Sequence, residues 1–371
     1  MRKGALSVSA STDLTVIGNR AMLDKLERDV RDGKLSHAYI IDGPSGSGRH
    51  TVARWLCAAI ACENRPNRGA GYEDEDQFSM FDAFDPLPHR EVDPSAPLPC
   101  GVCPACRKLL DGNCPDVRFI DRDGKASIGV DAIRFLKQDV LLAPNDLDTK
   151  IYIIEDAETM TAQAQNALLL TLEEPPAYVL FLLLCNGADR LLETIRSRAP
   201  VLKTEPISDD GIRTYLRNNK RLTVSNEELD TVIMASDGRI GRALELTDAK
   251  SVKAIMKLRT AVDDFIEGCI THDAESVLGA ISSFGNKRDG VLEILSTLTL
   301  ALRDLLALKN TDTVTLKYYI DRELALDISS RLSTRTLLRI YDAVGRAKEG
   351  LDRNGNVRLT LTGMCLECGL L

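Results

Sequence analysis

The sequence predicts a three-part protein: an α/β domain on a parallel sheet, a small helical domain and a helical carboxy-terminal domain. Two observations carry this. Up to about residue 205, stretches that are apolar throughout, such as Val179 to Leu184, alternate with helical stretches, the pattern of a parallel sheet covered on both faces. Beyond Pro206 the strand signal stops, and helical spacing takes over, clearest in Val291, Ile294, Leu295, Leu298, Leu302, Leu305 and Leu306. A length of 371 residues suits two or three domains. The expected boundaries are 1–205, 206–249 and 250–371.

Taken in order, Met22, Leu23, Leu26 and Val30 recur at helical spacing between Ile17 and Lys34. Ala38 to Ile41 reads as a short buried strand running into the glycine-rich turn Asp42 to Thr51, and then into a helix from Val52 to Ala61 that carries Trp55. The segment 62–114 follows, rich in cysteine and interrupted by a Pro-, Asp- and Glu-rich stretch from about Arg65 to Pro99 whose composition suits a surface insertion. Next come a helix near Gly129 to Val140 and the strand Ile151 to Ile154, ending in Glu155-Asp156. A helix from about Ala162 to Glu174, stopped by Pro175-Pro176, leads to the strand Val179 to Leu184. A helix through Leu191 to Arg198 and the strand Val201 to Lys203 complete the α/β part. Ile212 to Leu244 reads as a small helical cluster, and long amphipathic patterns dominate from Val252 onward.

The longest apolar run, Ala177 to Cys185, is about half of the ~20 residues that cross a bilayer. Met1 to Ala10 lacks the apolar core of a secretory signal, so a cytoplasmic location without membrane contact is expected. The net charge of −8 is concentrated: nine acidic against three basic residues between Glu63 and Pro99 leave 44 basic against 46 acidic elsewhere. That balance offers no basic stripe to neutralise phosphates, so any role on nucleic acid is expected to be indirect.

Ten cysteines without an export signal point to metal binding rather than disulfides. Cys100, Cys103 and Cys106 form a Cys-x2-Cys-x2-Cys run, with Cys57 and Cys62 before it and Cys114 after it. Four sulfurs from such a set can close a tetrahedral zinc site; an iron–sulfur site is the alternative, since Cys114-Pro115 matches the ferredoxin ending, with seven residues after Cys106 where that motif has three. Cys365 and Cys368 have no second pair nearby in the sequence and read as cysteines on a helix face.

Gly43, Gly46 and Gly48 fit the glycine skeleton of a phosphate loop in the right strand–turn–helix context. Yet Arg49 stands where such a loop has Lys, and His50 where it has Ser or Thr, ahead of Thr51. A planar guanidinium is a poor substitute for a compact ammonium on the outer phosphates, and imidazole is a poor ligand for Mg²⁺. Amides at the helix start could still cradle phosphate; a glycine turn kept for strand–helix packing is the competing reading.

Asn166-Ala-Leu-Leu-Leu-Thr-Leu-Glu-Glu-Pro-Pro176, with Ser36-His-Ala-Tyr39 before the glycine turn and Ile195-Arg-Ser-Arg198 after it, resembles the bacterial clamp-loader subunits of the AAA+ class. The likeness covers about residues 15–245 and is nearest to the delta-prime type within the DNA polymerase III holoenzyme, with the gamma/tau ATPase as its relative. The resemblance implies a structural zinc on Cys62, Cys100, Cys103 and Cys106, with Cys57 or Cys114 as alternatives to Cys62. It implies that Arg198 reaches the ATP held by a neighbouring subunit, although Ala199 replaces the family's cysteine. It also places Asp156 at the water-activating glutamate, Gly241 at a nucleotide-touching arginine of the helical lid and Asn186 at the polar sensor. With Arg49 and His50, two of these departures, Asp156 and Gly241, weaken the chain's own site. The implied partners are gamma/tau and delta subunits and, through the complex, the sliding clamp and primed DNA. The carboxy-terminal part would be an oligomerising collar. An active gamma/tau-type ATPase and a metal-dependent DNA-binding module are the alternatives.

Overall fold

The structure is a computed structural model that describes residues 16–66, 96–219, 225–311 and 313–368. Most of the acidic insertion, residues 67–95, and the amino-terminal segment lie outside the described residues. The chain divides into two compact units: residues up to Ser208 together with Arg239–Gly241, and Asp209–Gly238 together with Arg242–Leu371.

The first unit contains α1 (Arg20–Arg31), β1 (Ala38–Asp42), α2 (Arg49–Ala61), α3 (Pro104–Leu110), β2 (Val117–Ile120), α4 (Val130–Val140), β3 (Lys150–Ile154), α5 (Ala162–Glu173), β4 (Val179–Cys185), α6 (Glu193–Arg196) and β5 (Val201–Lys203). All strand pairs are parallel, in the order β2-β3-β4-β1-β5, with Ile40 opposite both Leu183 and Val201. Alternation along the strands divides the interior in two. Tyr39, Ile41, Ile151, Ile153, Leu182 and Leu184 face α1, α2 and the cysteine segment; Ile40, Tyr152, Ile154, Phe181 and Leu183 face α4 and α5. Both faces of β1, β3 and β4 are therefore covered, as their continuous apolar sequences require.

Helix α3 was not anticipated within the cysteine segment, and three further features differ from the sequence expectation. Strand β2 was not anticipated: it is a four-residue edge strand, half-buried, with Arg118 interrupting its apolar pattern. Helix α2 starts at Arg49 rather than Val52, because the turn ends at Gly48 with φ 94°, a conformation open to glycine, and hands over directly to the helix. Helix α6 spans only Glu193–Arg196, as Pro200 follows closely and disfavours helical backbone before it.

The second unit is helical. It comprises α7 (Asp209–Asn218), α8 (Asn226–Ser236), most of α9 (Ile240–Glu245), α10 (Ala249–Thr271), α11 (Ala274–Ser283), α12 (Arg288–Asn310), α13 (Arg322–Arg331), α14 (Thr334–Asp352) and α15 (Val357–Cys368). Asp248, Asp273 and Asp321 cap α10, α11 and α13 by accepting backbone N–H groups of their first turns. One continuous core runs from Ala261 to Cys368 and includes the α12 stripe Val291, Ile294, Leu295, Leu298, Leu302 and Leu305. Among the described residues, none of α7, α8 or α9 belongs to that core. Asp304, fully buried, accepts N–H bonds from Lys317 and Tyr318, both at 2.7 Å, and fixes the 313–319 loop.

Candidate functional site

The glycine turn lies between the end of β1 and the start of α2. Its outlet is crowded. Gly43 tolerates no side chain, because a Cβ there would lie 1.8 Å from Thr204 Oγ1, and that hydroxyl bonds Ser47 Oγ at 2.9 Å. The Gly241 N–H donates to the Gly46 carbonyl at 2.9 Å, and a Cβ on Gly241 would come within 2.7 Å of Gly46 Cα. In this arrangement an arginine cannot occupy position 241.

The acidic end of β3 is engaged from within the chain. Arg49, only 5% exposed, points a guanidinium nitrogen at Asp156 Oδ1 over 4.0 Å, and Arg122 reaches the other oxygen of Asp156 at 3.1 Å. His50 Nδ1 lies 3.5 Å from Glu155 Oε1. Partial burial, reinforced by the neighbouring Arg49 charge, holds His50 below the ordinary histidine value, so its imidazole is neutral at neutral pH. Burial, with Asp121 and Asp156 nearby, raises the Glu155 carboxyl. The two residues at the Lys and Ser/Thr positions of a phosphate loop thus face the two carboxylates that follow β3. Thr51 lies in the first turn of α2, one residue past the loop positions.

Arg198 follows α6. Its guanidinium donates to the Thr194 carbonyl at 2.9 Å, to Ser197 Oγ at 3.3 Å and to Glu173 Oε1 at 2.6 Å, and stays one-third exposed. The glycine turn and Arg198 are separate features of the first unit.

The sulfurs of Cys62, Cys100, Cys103 and Cys106 all lie within 4.8 Å of one another, with Cys100 and Cys106 at 4.0 Å. A tetrahedral zinc with Zn–S near 2.3 Å needs sulfurs about 3.8 Å apart. Local structure builds the cluster: Cys62 ends α2, Cys103 caps α3, and Cys106 lies one turn into α3. Backbone N–H groups of Cys100, Cys103 and Cys106 donate at 3.4 Å to the sulfurs of Cys62, Cys100 and Cys103. Such donors suit thiolates, so the site fits a metal. Cys57 and Cys114 line a neighbouring pocket with Arg54, Leu109 and Phe119 and do not join the four.

The family described as "DNA polymerase III, delta subunit" matches residues 18–77 and 87–208. DNA polymerase III subunit tau of Bacillus subtilis is 30% identical over 236 residues, 63% of this chain and 36% of that protein. The gamma/tau subunit of Mycobacterium bovis is 24% identical across 96% of this chain and 56% of that protein. The chain belongs to the bacterial clamp-loader family. It spans between about a third and just over half of the length of these curated relatives. Among solved structures, a DNA polymerase III gamma subunit-related protein of Thermotoga maritima aligns over 94% of this chain and 98% of that chain, with 16% identity and a TM-score of 0.41. The clamp loader delta protein of Bacillus subtilis aligns with 10% identity and a TM-score of 0.35, over 94% of this chain and 99% of that one.

In this clamp-loader chain the remaining sequence candidates occupy bland positions. Asn186 is exposed after β4, and His37 is half-buried, with Nε2 buried and lacking a hydrogen bond among the described residues. Cys365 and Cys368 face the helical core, where Cys269 joins them. Sequence reasoning missed Thr204, Glu173 and Asp116. Fully buried Asp116 accepts three N–H bonds, from Asn145, Asp146 and Leu147, and fixes the loop before β3. Each is a single polar residue whose partner is distant in sequence, so no local pattern announces it. No helix of the described residues is long and apolar enough to cross a membrane.

Proposed function

We propose that this clamp-loader subunit is of the delta-prime type: its own nucleotide site is closed, and it supplies Arg198 in trans to ATP bound by a gamma/tau neighbour. The observation that carries the reading is that Arg49, together with Arg122, faces Asp156 and His50 faces Glu155, beneath a loop abutted by Gly241. A nucleotide with Mg²⁺ would have to displace a nearly buried guanidinium from a carboxylate and would meet neither the Lys nor the hydroxyl that turnover uses. Arg198 is already surface-accessible. A guanidinium placed on a γ-phosphate stabilises the charge that develops during transfer.

The cysteine cluster would hold a structural zinc, because four protein sulfurs leave no open coordination position. Helices α7, α8 and α9, which lie outside the main helical core, would form the lid domain of residues 206–249, and residues 250–371 the collar. The subunit would then work in the cytoplasm in a ring with gamma/tau and delta, acting on the sliding clamp and primed DNA through that assembly.

The decisive experiment is ATPase activity of a loader reconstituted from the same organism's gamma/tau, delta, clamp and primed DNA. Arg198→Ala is expected to cut turnover by about 10³-fold at the sites it serves while the complex still assembles. The isolated chain is expected to be inert and to show no ATP-dependent rise in melting temperature. The similarity to tau and gamma/tau proteins favours a second reading, an active gamma/tau-type ATPase; hydrolysis by the isolated chain would establish it.

A further inference from the structure

We propose that Glu173 is a positioning residue for Arg198, holding its guanidinium ready for the neighbouring subunit's ATP; this rests on the trans-acting reading of Arg198. Helices α5 and α6 are fastened to each other at two points. At the first, Gln165, 5% exposed, donates to the Met160 carbonyl at 3.2 Å and accepts the Leu192 N–H at 2.8 Å, which fixes where α6 begins. At the second, two turns along α5, Glu173 takes the Arg198 guanidinium at 2.6 Å. Leu168 and Leu172 of α5 pack with Ile195 of α6 in the same core, so the backbone carrying Arg198 is supported independently of Glu173.

That division of labour leaves Glu173 one task. The Thr194 and Ser197 bonds are local and fold the side chain against its own turn; the bond to Glu173 is the only one of the three that comes from another helix. An arginine with several rotatable bonds gains directional precision from such an anchor, and the ordering is achieved before the neighbour arrives. Three bonds use three of the five guanidinium N–H groups, so donors are left for a phosphate. The anchor also sits on a face of α5 that ends in the open: Asn166 is exposed and Leu170 is 63% exposed.

The mechanism needs an acceptor at position 173, not its charge, and this separates it from a mere ion pair. In the reconstituted loader, built from full-length subunits with clamp and primed DNA, Glu173→Ala is expected to lower kcat for ATP three- to tenfold, with KM and assembly unchanged. Glu173→Gln, which keeps the acceptor oxygen, should return kcat to within twofold of wild type. The double variant Glu173→Ala/Arg198→Ala should be no slower than Arg198→Ala alone. Glu173→Ser, too short to reach the guanidinium, provides a second loss-of-anchor variant should the alanine chain assemble poorly. If Arg198→Ala slows the complex but neither Glu173→Ala nor Glu173→Ser does, or if they speed it, the positioning role is wrong while the trans arginine stands. If Arg198→Ala itself changes nothing, the underlying reading falls and takes this one with it.

Discussion

Buried thiols dominate the residue scale. Burial pushes Cys57, Cys185 and Cys365 up to about 12 and Cys368 up to about 11. In the unfolded chain the same groups ionise near 9.0, so above that pH the native state holds more protons and stability falls as pH rises, until the folded values are reached. Each thiol contributes a loss of about 1.4 kcal/mol per pH unit within that window. Urea unfolding at pH 8 and pH 10 should show a marked drop, and Cys57→Ala should flatten it by the share of one proton. This behaviour was not legible in the sequence, where a cysteine gives no sign of its depth. The Ser197-Arg198 motif singled out Arg198 and the Asn166–Pro176 motif contains Glu173, but nothing in the sequence joins the two, because they lie 25 residues apart on different elements. Arg49 and His50 stood out as departures from a phosphate loop, whereas their pairing with Asp156 and Glu155 needed β3 to be placed beside the turn.

At the scale of elements, the three strands with continuous apolar sequence, β1, β3 and β4, were readable because burial on both faces removes alternation. Edge strand β2 is solvated on one side and carries Arg118, so its four residues resemble a loop. The Cys-x2-Cys-x2-Cys run marked three sulfurs by spacing alone. The fourth could not be chosen that way, since Cys62 lies 38 residues before Cys100, and only the ending of α2 against the α3 turn selects it over Cys57 and Cys114. Elements joined through sulfur should depend on their metal. One zinc per chain is the expected content by elemental analysis. Removing it, by chelation at mildly acidic pH or by Cys103→Ser, should lower stability by about 2 kcal/mol or more, a shift of roughly 4–8 °C for a unit of this size. An unchanged melting temperature in the metal-free chain would reject the structural role.

For the whole molecule, length and the loss of strand signal after Pro206 anticipated an α/β part followed by helices. Contacts place the helices of residues 209–238 in one compact unit with the carboxy-terminal ones, a relation that sequence periodicity does not encode. A last consequence concerns where the chain accepts change. Cys62 and Cys100 are partners in one cluster, Arg65 bonds Asp148 at 3.1 Å, and Arg31 bonds the Ala96 carbonyl at 2.8 Å, so the chain leaves and rejoins the first unit at fastened points. The closure entropy of a loop between fixed ends grows only slowly with its length. Exchanging residues 67–95 for about ten Gly/Ser residues should therefore leave the melting temperature within about 2 °C, with the zinc content intact. A collapse of either would show that the acidic segment helps to hold the unit together. If the exchange is tolerated, a fluorophore or an affinity handle can be carried between the two fastened ends, and the subunit followed through assembly.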